Sequence, residues 1–223
     1  MTTAGALRTI TLEVTPVGQN CRILVDNSQK RAIIIDPGGE VDGIREILSR
    51  DELILDQIWL THSHFDHCGG VAELKEATGA ILFAHPSESL FRQHVLTAVE
   101  RWQLPLDGFR NCPEPDRTLV GGERLEWSGY TFHVLPTPGH SPGHLAFYCP
   151  QEGFVLSGDA LFQGSIGRTD LPGGNHQELI ESIIGQLLSL SDSTRVLSGH
   201  GPDTTIGHER LYNRYLSETL HSS

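Results

Sequence analysis

Short apolar runs alternate with amphipathic segments along the chain. Residues 33–35 are continuously apolar, which is typical of a strand buried on both faces. Residues 71–78 place apolar side chains on one face and are followed by Gly79, which indicates a helix and its end. The predicted strands occupy residues 7–14, 22–25, 31–35, 58–60, 124–127, 130–135, 145–149, 154–156 and 195–197.

Amphipathic segments lie between these strands. The predicted helices occupy residues 41–48, 71–78, 90–104, 175–188 and 209–216. The segment Pro105–Pro115 is predicted to be a loop that borders a substrate pocket. Asn175 and Glu178 have the spacing of a capping box, which opens the fourth helix. Strands with interspersed helices predict layered α/β packing with the helices outside, and the absence of a long linker predicts one domain spanning 1–223.

The bulk composition narrows the class of partner. The chain has 223 residues and a formal net charge of −12, so nucleic acid and anionic membranes are poor partners. Residues 1–10 lack a charged start followed by an apolar run, and no stretch reaches the length of a membrane span. The four cysteines show no CxxC spacing and are interpreted as reduced thiols. We expect a cytoplasmic protein, either monomer or dimer.

The densest chemistry lies in residues 61–67, which read Thr-His-Ser-His-Phe-Asp-His. Neutral imidazole and carboxylate are side chains that bind zinc, iron and manganese. Packing alone explains this density poorly, because each buried imidazole or carboxylate needs a polar partner. The segment therefore predicts a metal site, and the alternative interpretation is a solvated polar loop.

One pattern recurs at four places in the chain. An apolar strand is followed by one or two small residues and then by a residue able to bind a metal. The residues at these ends are His62, His140, Asp159 and His200. Strands of one sheet end along a shared rim, so such residues can converge there. Four such junctions predict one composite site.

In order and spacing, these positions resemble the metallo-β-lactamase superfamily, whose signature is HxHxDH followed by a distant His, Asp and His. The resemblance covers nearly the whole chain. It implies an α/β fold, a four-layer αβ/βα sandwich of two mixed β-sheets flanked by helices. It also implies two metal ions at one edge of the paired sheets.

All seven ligand positions of the family pattern are filled in this chain, so the resemblance implies a complete set of ligands. The first metal would take His62, His64 and His140. The second would take Asp66, His67 and His200, and Asp159 would bridge the two. Asp66 is also the predicted catalytic residue, since its carboxylate can orient the attacking water or accept its proton. Two divalent ions are expected, with zinc first and iron or manganese as alternatives.

Two further residues lie near the predicted ligands. His144 follows His140 by four positions and is expected to orient a ligand rather than to bind metal, the alternative being a core histidine with its own polar partners. Asp36 ends a buried strand and is interpreted as a turn former or as another orienting group.

Two stretches narrow the activity within the superfamily. Residues 158–170 resemble the GDxLF…GRTD stretch of glyoxalase II-like proteins and persulfide dioxygenases. Residues 198–202, together with residues 209–213 after them, are similar to the short, YcbL-like branch of glyoxalase II, a hydroxyacylglutathione hydrolase. The resemblance implies hydrolysis of S-D-lactoylglutathione to D-lactate and glutathione. It also implies that the C-terminal helical domain of long-form glyoxalase II is absent, which leaves glutathione specificity open.

The chemistry of the site favours a thioester. Metal binding lowers the pKa of water from 15.7 to about 7, and a thiolate leaving group, from a thiol of pKa about 8.5, needs little acid assistance. Arg168 is the candidate for holding a substrate carboxylate, or else it pairs with Asp170. The alternatives are a persulfide dioxygenase with one iron, held by His62, His140 and Asp159, and another metallohydrolase such as a β-lactamase or lactonase.

Overall fold

A computed structural model of the chain describes residues 7–216. The chain divides into two compact units, with the boundary in the sequence between Leu119 and Val120. The single-domain expectation stays a prediction. Residues 1–6, part of the segment used to predict that no signal peptide is present, lie outside the described residues. Among residues 7–216, no helix combines the length and the apolar composition needed to cross a membrane.

The first unit contains a six-stranded mixed sheet. Its strands are β1 (Arg8–Val14), β2 (Gln19–Asp26), β3 (Arg31–Ile35), β4 (Ile54–Trp59), β5 (Ile81–Ala84) and β6 (Arg117–Thr118), in that spatial order. Strands β1 to β3 pair antiparallel, whereas β3 to β6 pair parallel. Because β3, β4 and β5 run in one direction, the loops that follow them leave the same edge of the sheet.

The helices of the first unit are short. They are α1 (Val41–Arg50), α2 (Phe65–Cys68), α3 (Val71–Thr78), α4 (Ser89–Gln93) and α5 (Val95–Arg101). The apolar face predicted for α1 is buried through Val41, Ile44 and Leu48. These side chains join a core cluster that includes Ile23 and Ile34 of the sheet. The apolar face of α1 is thus part of the hydrophobic core of this unit.

The continuous helix predicted for Leu90–Leu104 is wrong. The structure breaks it between α4 and α5, and it ends before the predicted limit. The Arg92 carbonyl accepts the Cys112 amide hydrogen at 2.9 Å, and the Leu96 amide donates to the Asn111 side chain at 3.1 Å. Both groups would otherwise pair with each other in a helix, so the segment 111–112 replaces that helical hydrogen bond.

The second unit contains another six-stranded mixed sheet and a small hairpin. Its strands are β7 (Arg124–Trp127), β8 (Tyr130–Pro136), β9 (Leu145–Cys149), β10 (Phe154–Gly158), β11 (Leu161–Phe162), β12 (Ser165–Ile166), β13 (Arg195–Ser198) and β14 (Thr204–Thr205). The sheet order is β14-β13-β10-β9-β8-β7, and β11 pairs only with β12. Strand β13 is parallel to β10, while β8 and β10 are both antiparallel to β9. Strands β8, β10 and β13 therefore end at one edge.

Two helices complete the second unit. Helix α6 (His176–Ser182) continues into a π-helical turn, and α7 (Ile206–Tyr212) follows β14. The Asn175 side chain caps α6 by accepting the Glu178 amide hydrogen at 3.2 Å. The Asn175 amide donates to the Gly139 carbonyl at 2.7 Å, which fixes the start of α6 beside the loop after β8. The last helix begins at Ile206, earlier than predicted, because Thr205 caps it.

Candidate metal centre

Four predicted ligands lie in the loop and short helix after β4. The Nε2 atom of His62 lies 3.1 Å from Nδ1 of His64, and Nε2 of His67 lies 3.7 Å from Oδ2 of Asp66. The rings of His62 and His67 are also close, with centroids 4.0 Å apart. All of these side chains are buried except that of His64, which is half-buried. We call these four residues the first cluster.

Asp36 orients two members of the first cluster. Its Oδ2 atom accepts a hydrogen bond from His67 Nδ1 at 3.0 Å and another from the Thr61 hydroxyl at 2.6 Å. The Thr61 hydroxyl oxygen lies 3.1 Å from His62 Nδ1. Since its own hydrogen points to Asp36, it accepts a hydrogen bond from this ring nitrogen. Both imidazoles are therefore held in the tautomer whose Nε2 carries a lone pair, the form that binds a metal.

Two buried charged side chains from the segment after β5, Glu88 and Arg92, contact Ser63 between His62 and His64. The Ser63 amide donates to the carboxylate of Glu88 at 2.9 Å. Arg92, which is fully buried, donates to the His85 carbonyl at 2.9 Å and reaches Glu114 at 2.8 Å. The loop after β5 thus supports the loop after β4 with charged groups.

Close backbone packing also shapes the first cluster. A Cβ atom added at Gly38 would lie 1.5 Å from the carbonyl oxygen of Asp66, so only glycine fits there. The turn after β3 can therefore touch the helix that carries Asp66 and His67.

Three predicted ligands lie in the second unit, each after the end of a strand. The Oδ2 atom of Asp159 lies 3.7 Å from Nε2 of His140 and 3.5 Å from Nε2 of His200. His140 and Asp159 are buried, and His200 is partly exposed. We call these residues the second cluster. One carboxylate oxygen is thus shared by two imidazoles from different strand ends.

His140 is oriented by the backbone of the Arg168 loop. Its Nδ1 donates to the Arg168 carbonyl at 2.8 Å, which leaves the lone pair on Nε2. The neighbouring Gly167 makes this approach possible. A Cβ atom there would lie 1.9 Å from the Asp159 carbonyl oxygen and 3.1 Å from His140 Nδ1.

His144 contacts the backbone of Asp159. Its Nε2 accepts the Asp159 amide hydrogen at 3.0 Å, so its Nδ1 carries the proton and donates to the Thr137 hydroxyl at 2.8 Å. These are the contacts that the predicted orienting role requires, and that role stays a prediction.

The Arg168 side chain forms a bidentate ion pair with Asp170. Its Nε and Nη2 atoms lie 2.7 and 2.8 Å from the two carboxylate oxygens. The guanidinium lowers the pKa of Asp170 to about 2, and the carboxylate raises the pKa of Arg168. Both side chains are exposed, so a substrate carboxylate would have to compete with Asp170. The substrate-binding role of Arg168 stays a prediction.

Cys68 follows His67 directly and is fully buried. Burial is the main cause that raises the pKa of its thiol. The thiol donates to the Ser63 carbonyl at 3.4 Å. Such an enclosed thiol is unreactive.

Several supporting residues were not predicted. Glu88 and Arg92 carry charges, and a charged residue in an isolated sequence is expected at the surface. The Arg168 carbonyl acts through its backbone, which has no side-chain signature. Asp36 was anticipated only as one of two possibilities.

The chain matches a known protein family. The model of the metallo-β-lactamase superfamily matches residues 14–200. The chain belongs to the metallo-β-lactamase superfamily. It is a metallohydrolase of that superfamily, with His and Asp groups suited to holding a divalent metal ion. The donor chemistry fits such ions, since imidazole and carboxylate suit zinc, iron and manganese.

Individual relatives cover most of the chain. The hydroxyacylglutathione hydrolase GloC of Haemophilus influenzae is 39% identical over 209 residues, which is 92% of this chain and 96% of that protein. The crystal structure of the BLEG-1 B3 metallo-β-lactamase matches 94% of this chain and all of that one, with 37% identity and a TM-score of 0.86. TTHA1623, solved in a di-iron-bound form, matches 93% of this chain and all of that one, with 40% identity and a TM-score of 0.84. The predicted fold class is confirmed.

Proposed function

We propose that the two clusters together hold two divalent metal ions and that the protein hydrolyses thioesters, with S-D-lactoylglutathione as the substrate. The family pattern gives His62, His64 and His140 to one ion and Asp66, His67 and His200 to the other. The relative named as a hydroxyacylglutathione hydrolase supports the choice of substrate, through 39% identity over nearly the whole chain.

One observation carries the two-metal part of this proposal. The Oδ2 atom of Asp159 lies within 3.7 Å of both His140 and His200, which the family pattern assigns to different metals. This is the position that a bridging carboxylate requires. A centre with one iron, held by His62, His140 and Asp159, would leave His200 without a role in the site.

The first cluster contains a corresponding pair for each metal. His62 and His64 face each other through ring nitrogens 3.1 Å apart, and Asp66 faces His67 at 3.7 Å. Each proposed ion thus takes two ligands from the first cluster and one histidine from the second. Asp159 completes both sets.

In the proposed thioester hydrolysis, the metal ions and the side chains have different roles. When bound, two divalent ions lower the pKa of water and polarise a carbonyl oxygen. Asp66 is buried, and its carboxylate is proposed to orient the attacking water or to accept its proton. Asp36 fixes the tautomer of His67 directly and that of His62 through the Thr61 hydroxyl. The thiolate leaves unassisted, because a thiol has a pKa of about 8.5.

A β-lactamase is the second candidate, favoured by the likeness to BLEG-1 at 37% identity and a TM-score of 0.86. Cleavage of a β-lactam releases an amine, which needs a proton that a thiolate does not. The described ligand clusters offer buried carboxylates, which in their ionised form accept protons and do not supply them. We therefore place thioester hydrolysis first.

Three substrates distinguish the candidates in one experiment. Purified protein loaded with zinc would be assayed with S-D-lactoylglutathione, with a chromogenic cephalosporin and, after iron loading, with glutathione persulfide. We expect thiol release from the first at a rate far above the other two. Asp66→Asn should abolish that rate. The control is Asp42→Asn, at an exposed position of α1, which should retain it. Faster cleavage of the cephalosporin, or oxygen uptake with sulfite formation, would reject the proposal.

A further inference from the structure

Glu209 is a fully buried carboxylate on α7 of the second unit. A buried carboxylate is costly unless donors satisfy it. Its Oε1 atom accepts the Thr204 hydroxyl at 2.6 Å. Its Oε2 atom accepts the Gly164 amide at 2.8 Å and the Asn213 side-chain amide at 2.9 Å. Glu209 is thus fixed by three donors. Asn213 directly follows α7, whereas Thr204 and Gly164 lie before it in the chain.

Those two donors lie in segments that continue into the second cluster. Thr204 begins β14, four residues after His200. Gly164 forms the turn between β11 and β12, between Asp159 and the Arg168 carbonyl that holds His140. Asn213 adds a second link to the same turn, by donating to the Ser165 carbonyl at 3.0 Å.

The β11–β12 hairpin in turn contacts the ligands. The ring of Phe162 lies edge-on to the ring of His200, with centroids 6.2 Å apart. The Gly167 amide donates to the Ala160 carbonyl at 3.3 Å, next to Asp159. Ser198 of β13 donates to the Leu161 carbonyl at 3.0 Å. A shift of the hairpin would therefore move groups against His200, Asp159 and the Arg168 loop together.

We propose that Glu209 is a positioning residue for the second cluster. Its carboxylate joins the segment after His200 to the loop between Asp159 and Arg168, and so holds three metal ligands in register without touching a metal. This inference rests on the proposed two-metal centre. Glutamine keeps the shape of the side chain but loses the charge and one acceptor. The Thr204 hydroxyl must then turn from donor to acceptor, or the new NH2 group must face the Gly164 and Asn213 donors.

Zinc retention tests this role without any substrate. Full-length protein loaded with zinc would be titrated with a chromophoric chelator, and the melting temperature recorded for each variant. The variants are Glu209→Gln and Thr204→Val, the second removing one donor and nothing else. The controls are Ile183→Val and Ile183→Ala, which loosen the apolar cluster that also contains Leu161 and Ile166 of the hairpin. Both leave every hydrogen bond of Glu209 in place, and together they bracket the loss of melting temperature.

We expect Glu209→Gln to raise the apparent Kd of the more weakly held zinc by about 10- to 100-fold, the range seen when groups that orient ligands are lost. Thr204→Val should show a smaller rise, and the Ile183 variants none. If Glu209→Gln fails to fold, Thr204→Val decides by the same criterion.

Equal zinc retention in the Glu209 or Thr204 variant and in an Ile183 variant of matched melting temperature would overturn the proposal. Glu209 would then support the fold alone. Wild-type protein that retains zinc but cleaves no thioester would reject the proposed substrate and leave this inference standing. The two failures are therefore distinguishable.

Discussion

The two clusters of proposed ligands are built in different ways. The first places four ligands within six residues of one loop, and buried charged side chains from neighbouring strand ends support it, chiefly Asp36 and Glu88. The second places three ligands on three separate strand ends. Its support comes from a backbone carbonyl, a close glycine contact and a hairpin tied to α7.

This difference has a physical consequence. In the first cluster, the chain itself keeps the ligands near one another, so side chains need only to fix tautomers and ring directions. In the second, the spacing of the ligands depends on the packing of distant segments. We expect the second cluster to be the more sensitive to changes in packing, and the first to changes in hydrogen bonding.

The largest effect should follow from Asp159→Asn. The amide would place a donor or a weak acceptor between His140 and His200, and the proposed bridge would be lost. We expect kcat/KM for the thioester to fall by at least about 1000-fold, equivalent to about 4 kcal/mol. The control is Asp192→Asn, an exposed aspartate of the same unit that pairs with Arg210. Retention of more than a tenth of the activity would show that Asp159 does not bridge two metals.

Asp36→Asn should weaken metal binding by the first cluster. It changes hydrogen bonds while leaving the size of the side chain nearly unchanged. Asparagine replaces one carboxylate oxygen by an NH2 donor. This donor must face either the Thr61 amide, which now donates to Oδ1 at 2.7 Å, or the Thr61 hydroxyl and His67 at Oδ2, so the bonds that fix the two tautomers weaken. We expect zinc affinity to fall by about 10- to 100-fold, measured by chelator competition. Asp42→Asn, whose side chain is 95% exposed, is the control. Unchanged affinity would mean that Asp36 is only a turn former.

Gly167→Ala tests sensitivity to packing in the second cluster. The added Cβ would lie 1.9 Å from the Asp159 carbonyl oxygen, so the Arg168 loop must move away from His140. We expect about a tenfold loss of zinc affinity. Gly185→Ala is the matched control, because a Cβ there meets nothing within 4 Å. If both variants bind zinc alike, the loop does not set the position of His140.

The smallest effect should come from Arg168→Ala. If the guanidinium holds substrate, KM should rise by about 10-fold with kcat little changed, because the backbone carbonyl that orients His140 is kept. Arg110→Ala removes a comparably exposed bidentate pair, with Glu76 in the first unit, and serves as the control. An unchanged KM would assign Arg168 to its ion pair with Asp170.

The sequence predicted the ligands of both clusters but few of the residues that orient them. The 62–67 segment and the strand ends before His140, Asp159 and His200 were visible because their spacing is a local pattern. The residues that orient them were largely hidden, since Glu88, Arg92 and Glu209 are charged side chains that the fold buries. A backbone acceptor such as the Arg168 carbonyl has no sequence signal at all.

The sequence likewise predicted most of the longer strands and helices but not all of the secondary structure. Periodicity located the long strands and the face of α1, because these burial patterns depend on neighbouring positions in the chain. It missed β5, a four-residue apolar run without alternating polar positions. It also missed β6, β11, β12 and β14, each a pair of residues, which are too short to show a period. It also missed the break before α5, because contacts with the segment 111–112 override local helix propensity there.

The most direct test of a shared two-metal thioesterase site is a zinc titration of metal-depleted protein. The rate of thiol release from S-D-lactoylglutathione would be measured at each step. We expect the rate to rise until two zinc ions are bound per chain and then to stay constant. A rate that reaches its maximum at one ion per chain, or no thioester hydrolysis with two ions bound, would contradict the account.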